Sequence, residues 1–190
     1  RRNNLIGIID YGMGNLRSVS KAVEHLGGKV YVGDDPRRLS QADKLIVPGV
    51  GAFGDAMREL EGRSLVSVIK QAAASGKPIL GICLGLQIFF EESEESPNRK
   101  GLGICKGTVK RFPKISNRPR ALKIPHMGWN QVRLKKRLTL TRKTADRSFF
   151  YFVHSYYADP ADRSLIAGET EYGISFPSIL ASRRVFGVQF

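Results

Sequence analysis

The chain has 190 residues and a mass of 21.1 kDa, enough for one domain with a single sizeable core. Its 42% apolar content is that of a folded protein and excludes a disordered one, and no apolar run approaches the roughly 18–20 residues a membrane span needs. The formal charge of +14 is concentrated in residues 99–147, where sixteen Lys and Arg meet one acid, Asp146, while the rest of the chain carries fifteen bases and sixteen acids.

Arg1-Arg2-Asn3-Asn4 leads directly into a strand-like run instead of a secretory leader. The two cysteines, Cys83 and Cys105, form no disulfide framework, so a cytoplasmic protein is expected. Leu5–Asp10 (LIGIID) predicts a strand. Leu16, Val19, Val23 and Leu26 recur at three and four residues and predict a helix over 15–26, stopped by Gly27-Gly28. Lys29–Gly33 reads as a strand and Pro36–Gln41 as a loop or short helix. Lys44–Val47 reads as a buried strand, broken by Pro48-Gly49-Val50-Gly51. Asp55–Ser75 predicts helix with a break near Gly62, Pro78–Cys83 a buried strand, and Leu84–Glu95 a helix. Apolar strands without alternation, separated by helices, imply a parallel sheet covered on both faces. After Pro97 the texture changes: Gly103–Phe112, Ala121–Leu134, Phe149–Ala158 and Leu165–Phe190 predict strands and hairpins. The expected fold is α/β, a mostly parallel sheet flanked by helices, with a β-rich C-terminal half on the same core.

Gly81-Ile82-Cys83-Leu84-Gly85 has the form G-x-C-x-G between an apolar strand and a helix, the thiol counterpart of the G-x-S-x-G elbow that exposes a nucleophile on a sharp turn. A thiol there lies at the positive end of a helix dipole, which favours thiolate, and the Leu84 amide can face a developing oxyanion. Cys105 has no such setting and is read as structural. The Val50-Gly51 turn follows a second buried strand and offers further backbone N–H groups. Asp10-Tyr11-Gly12-Met13-Gly14-Asn15 forms a third glycine-rich loop, with Asn15 placed as a helix cap. It is not G-x-G-x-x-G, which argues against a dinucleotide. All three loops are expected along one edge of the sheet. A cysteine nucleophile needs a base. Of the three histidines, His25 reads as a surface residue on the first helix. His126 and His154 sit among aromatics, where either serves as base or as a satisfied structural residue.

Together, Asp10–Asn15, Pro48–Met57 (PGVGAFGDAM), Gly81–Gln87 (GICLGLQ), Pro125–Asn130 (PHMGWN) and Tyr151–Tyr157 (YFVHSYY) resemble the class I glutamine amidotransferases. Within that class the likeness is to the glutaminase subunits of imidazole glycerol phosphate synthase. The resemblance implies a Cys83 thioester with glutamine and an oxyanion site at Val50, Gly51 and Leu84. It implies substrate contacts from Gln87, Glu95, His154, Ser155 and Tyr156. It also implies no cofactor, no metal, and a (β/α)₈-barrel cyclase as heterodimer partner, with Asn15, Trp129 and Tyr151 near that interface. The family places its catalytic His and Glu in His-Pro-x-Glu directly after Gly-Val-Gln-Phe, and here Gly187-Val188-Gln189-Phe190 is the final tetrapeptide. The expectation is therefore one amidotransferase domain over 1–190 that lacks its C-terminal tail and is inactive as written. The basic segment is read as a docking surface for an acidic face of the cyclase or as solvated surface. Charge alone speaks for a nucleic-acid partner, and nothing speaks for a membrane.

Overall fold

The computed structural model describes residues 4–114 and 122–190, so Ala121 of the expected strand 121–134, and Arg118 and Arg120 of the basic segment, lie outside the described residues. The first half alternates strands and helices: β1 (Leu5–Ile9), α1 (Leu16–His25), β2 (Lys29–Gly33), α2 (Pro36–Gln41), β3 (Lys44–Gly49), α3 (Phe53–Gly62), α4 (Leu65–Ala74), β4 (Ile79–Cys83) and α5 (Leu84–Gln87). Strands then follow as β5 (Glu92–Ser93), β6 (Gly107–Arg111), β7 (His126–Leu134), β8 (Ser148–His154), β9 (Tyr156–Pro160), β10 (Ile166–Tyr172), β11 (Ile174–Ser182) and β12 (Val185–Val188).

One nine-stranded sheet runs in the order β2-β1-β3-β4-β12-β11-β10-β7-β8. Its first five strands are parallel: helices return the chain to the same end between β1, β2, β3 and β4, and β12 joins them from an antiparallel hairpin with β11, while the remaining pairings are antiparallel. A three-stranded sheet, β5-β6-β9, lies apart from it in the pairing order. One apolar cluster joins α2, α3, α4 and α5 to β1, β3 and β4 through residues such as Leu39, Leu45, Val47, Leu60 and Ile69. A second, aromatic cluster holds Phe112, Phe152 and Phe176 under the antiparallel strands.

One expectation needs correction. The helix predicted over 84–95 stops at Gln87. Residues 84–90 are buried throughout, so this stretch has no solvent face. The carbonyls of Ile88, Phe89 and Phe90 accept from the amides of Leu102, Ile104 and Gly103, tertiary bonds that replace the next helical turn. The apolar stripe of α1 contributes no fully buried residue, and Leu26, past the helix end, is 85% exposed. The break expected near Gly62 is present: α3 ends at Gly62, and Ser64, in a left-handed conformation, precedes α4.

Candidate functional site

The cysteine elbow is a strained turn at the centre of the sheet. Cys83 has φ 54° and ψ −110°, a conformation that L-residues rarely hold and that costs of the order of 1–3 kcal/mol, stabilised by its surroundings. The flanking glycines are explained by clearance. A Cβ on Gly85 would lie 1.8 Å from the Val47 carbonyl oxygen, and one on Gly81 would lie 2.5 Å from the Gly85 carbonyl oxygen. The elbow thus packs against β3 at backbone distance. Parallel register pairs Gly49 with Cys83, so the Val50-Gly51 turn follows immediately beside the thiol.

Tyr11, at the end of β1, is fully buried and donates its hydroxyl to the Pro48 carbonyl at 2.8 Å, tying the first glycine loop to the second. Its pKa is raised, first by burial and then by the neighbouring Cys83. Sequence reading quoted Tyr11 without giving it a role; its place in the loop, before two glycines, was the available signal.

A cleft of about 410 Å³ opens at this edge, lined by Val50, Gly51, Cys83, Leu84, Gln87, Glu95, His154, Ser155 and Tyr156 together with Pro125 and Val153. The last two were not foreseen. The chain brings His154, Ser155 and Tyr156 there because Ser155 is the single residue between β8 in the large sheet and β9 in the small one.

Two of these residues carry bonds of their own. Glu95 Oε2 accepts from the Phe53 amide at 2.8 Å and Ser96 Oγ from the Gly54 amide at 3.1 Å, capping α3 from outside because Ala52 cannot. Glu95→Ala is expected to lower stability by about 1 kcal/mol, read as a shift in urea midpoint. Gln87, 5% exposed, donates through Nε2 to the Tyr156 carbonyl at 3.0 Å and to Gln189 Oε1 at 3.2 Å. Gln189 in turn donates to Cys83 Sγ at 3.5 Å. Gln189 was missed because its neighbours in sequence are apolar strand residues and its target lies 106 positions away.

Burial pushes the Cys83 thiol above its ordinary pKa, opposed by the Leu84 amide and the Gln189 side chain, which donate toward the sulfur. The thiolate bias expected from a helix terminus is thus outweighed, in keeping with an α5 of four residues. Cys105 is buried and pushed up to about 11.

Among the described residues no histidine is hydrogen-bonded to Cys83. His126 and His154 bond each other, Nδ1 to Nε2, at 3.1 Å. Asn130 Nδ2 sits 3.2 Å from His126 Nε2, and His154 Nδ1 donates to the Tyr156 carbonyl at 2.8 Å. Burial lowers both to about 4, so each is neutral at pH 7. His25 is the exposed last residue of α1.

Asn15, Trp129 and Tyr151 lie outside the cleft. Asn15 caps α1, its Oδ1 accepting from the Ser18 amide at 3.3 Å. Trp129 and Tyr151 pair across β7 and β8, edge to face at 5.7 Å, at 70% and 49% exposure. Met127, Phe149 and Val153 share their face and are equally uncovered. This apolar face ends at Val153, on the cleft wall.

Among the described residues no three His, Cys, Asp or Glu side chains gather as a metal site requires, and no helix is long and apolar enough to cross a membrane. Part of the basic segment is balanced from outside it. Arg99 pairs with Glu61 at 2.8 Å and Lys110 with Asp159 at 2.7 Å, while Arg133 and Lys135 share Glu169.

The family model for glutamine amidotransferase class-I matches residues 7–190. The chain is 50% identical to the imidazole glycerol phosphate synthase subunit HisH of Aromatoleum aromaticum, covering 97% of this chain and 89% of that protein. To the subunit of the same name from Geobacillus kaustophilus it is 47% identical, covering 98% and 88%. Among solved structures, a glutamine amidotransferase superposes with a TM-score of 0.73 at 16% identity over 97% of this chain and 88% of that one. PurLQS from Thermotoga maritima gives 0.68 at 18% over 97% and 85%; both show the shared fold. The chain belongs to the class I glutamine amidotransferases and, within them, to the family of imidazole glycerol phosphate synthase HisH subunits.

Proposed function

We propose that this chain is the glutaminase half of an imidazole glycerol phosphate synthase, acting in histidine biosynthesis. The observation that carries the chemistry is a cysteine held at φ 54° on a strand-to-helix elbow that opens into the cleft. Cys83 Sγ attacks the side-chain amide carbon of glutamine. A C–S bond forms and the C–N bond breaks, the leaving nitrogen takes a proton as ammonia, and water then cleaves the thioester to glutamate. The oxyanion formed in each step lies against the Leu84 amide and an amide of the Val50-Gly51 turn. Gln87, Glu95, His154, Ser155 and Tyr156 surround the substrate's α-substituents. By the family pattern the proton is handled by the histidine of His-Pro-x-Glu, a motif absent from residues 1–190. No cofactor takes part.

The ammonia passes to a (β/α)₈-barrel cyclase partner in a heterodimer. The uncovered apolar face of β7 and β8, with Trp129 and Tyr151 at its centre and Val153 on the cleft wall, supports a partner seated over the cleft mouth. If the basic segment docks on that partner, complex formation is expected to weaken with salt, and salt-insensitive binding rejects docking.

A chloroketone analogue of glutamine tests the reading. It is expected to alkylate Cys83 at least tenfold faster than Cys105, with glutamine protecting, as read by peptide mass spectrometry. Equal labelling of both thiols, or none that glutamine protects against, rejects it.

A further inference from the structure

Two buried glutamines stand between the cleft floor and the thiol, and their orientation is fixed by a single backbone carbonyl. The Tyr156 oxygen can only accept. It takes a hydrogen bond from Gln87 Nε2 at 3.0 Å, so the nitrogen end of that amide must face it. The same nitrogen lies 3.2 Å from Gln189, so Gln189 must present its oxygen there. The amide nitrogen of Gln189 is then turned to Cys83 Sγ at 3.5 Å. Reversing either amide would set two oxygens or two NH₂ groups against each other inside a site where Gln87 is 5% and Gln189 1% exposed.

The Tyr156 carbonyl is held from its other side as well. Asn130 donates to the Glu171 carbonyl at 2.9 Å and lies against His126 Nε2, which places the His126 proton on Nδ1, facing His154 Nε2. His154 then donates from Nδ1 to the same Tyr156 oxygen at 2.8 Å. Neutral imidazoles satisfy this order, each with one donor and one acceptor.

We infer that Gln87 and Gln189 act as a pair of positioning residues, Gln87 locking the Gln189 amide so that it always offers an N–H to the Cys83 sulfur. The inference rests on the reading of Cys83 as the nucleophile and deepens it. Burial disfavours thiolate, and beside the Leu84 amide an N–H of fixed direction from Gln189 offsets part of that cost at the sulfur. A thiol served by an amide free to flip would face the oxygen in part of the population and lose that donor.

The test is site-resolved alkylation of Cys83 by iodoacetamide across the pH range, with Cys105 as an internal control, in the chain carrying Gln189→Met, Gln87→Met or both. These changes keep length and remove the amides. Gln189→Met is expected to raise the pH midpoint of Cys83 alkylation by about one unit and to slow the reaction at pH 7 roughly tenfold. Gln87→Met is expected to move the midpoint the same way by a smaller amount, and the double variant to match Gln189→Met alone, because Gln87 reaches the thiol only through Gln189. A lost packing contact would leave the midpoint in place. Should Gln189→Met fail to fold, Gln87→Met alone decides, since it too must raise the midpoint. An unchanged midpoint in a folded variant, or fully additive effects, overturns the inference. Failure of the nucleophile reading itself shows differently: glutamine would then not protect Cys83 from the chloroketone, whatever the midpoint.

Discussion

Gly85→Ala is expected to cost at least about 3 kcal/mol and to leave little folded protein. The new Cβ would stand 1.8 Å from the Val47 carbonyl oxygen and 2.8 Å from its carbon. Both are backbone atoms of β3, a strand hydrogen-bonded on both sides, so no side-chain rotation relieves the overlap. Relief requires the elbow to move off the sheet, which opens the core around Leu84 and Leu86 and displaces Cys83 from the cleft. Gly62→Ala is the matched control. That position, at the end of α3, has no neighbour within 4 Å of the added carbon, and the change is expected to be neutral or stabilising by a few tenths of a kcal/mol. Urea titration of the two variants beside the parent chain measures both. If Gly85→Ala unfolds at the parent midpoint, the close approach of elbow and strand is wrong.

Acidification is expected to destabilise the protein between pH 6.5 and about pH 4 through His126 and His154. Their folded pKa values are lowered to about 4, chiefly by burial, against an ordinary 6.5. In that window the unfolded chain binds protons that the folded chain refuses. The stabilisation is complete above pH 6.5, shrinks as the pH falls, and is gone below about pH 4. The two together amount to at most roughly 7 kcal/mol, a large part of the roughly 5–15 kcal/mol that holds a domain folded. Urea midpoints at pH 7.5 and pH 5 read this directly. His126→Gln, which keeps one donor and one acceptor at the site and cannot titrate, is expected to flatten the dependence by about half. Equal midpoints at the two pH values in the parent chain would show that the pair is not held neutral by burial.

The same two histidines show where sequence reading ends. Their neighbours, Pro-His-Met-Gly-Trp-Asn and Phe-Val-His-Ser-Tyr-Tyr, leave each open as a base or a structural residue. The antiparallel register that sets His126 opposite His154 closes the question, because each ring then spends its nitrogens on the other and on Asn130 and the Tyr156 carbonyl. The helix expected over 84–95 failed for a related reason. Its carbonyls at Ile88, Phe89, Phe90 and Glu91 accept from the amides of residues 101–105, ten to sixteen positions down the chain, and local propensity carries no information about that.

What the sequence determined by itself was local and chemical. Alternating apolar strands and helices imposed an α/β sheet, and G-x-C-x-G marked Cys83, since only glycines clear the backbone on both sides of such an elbow, Gly85 against β3 and Gly81 against Gly85 itself. Glycine-rich turns after β1 and β3 placed the loops at the edge where the cleft opens. The tertiary structure decided everything that depends on who meets whom. It inserted β12 beside β4, which brings Gln189 to a thiol 106 residues earlier. It turned Glu95 to cap α3 and raised the thiol's pKa where the helix terminus alone argued for lowering it. Burial and hydrogen-bond polarity are properties of the assembled environment, and no window of sequence contains them.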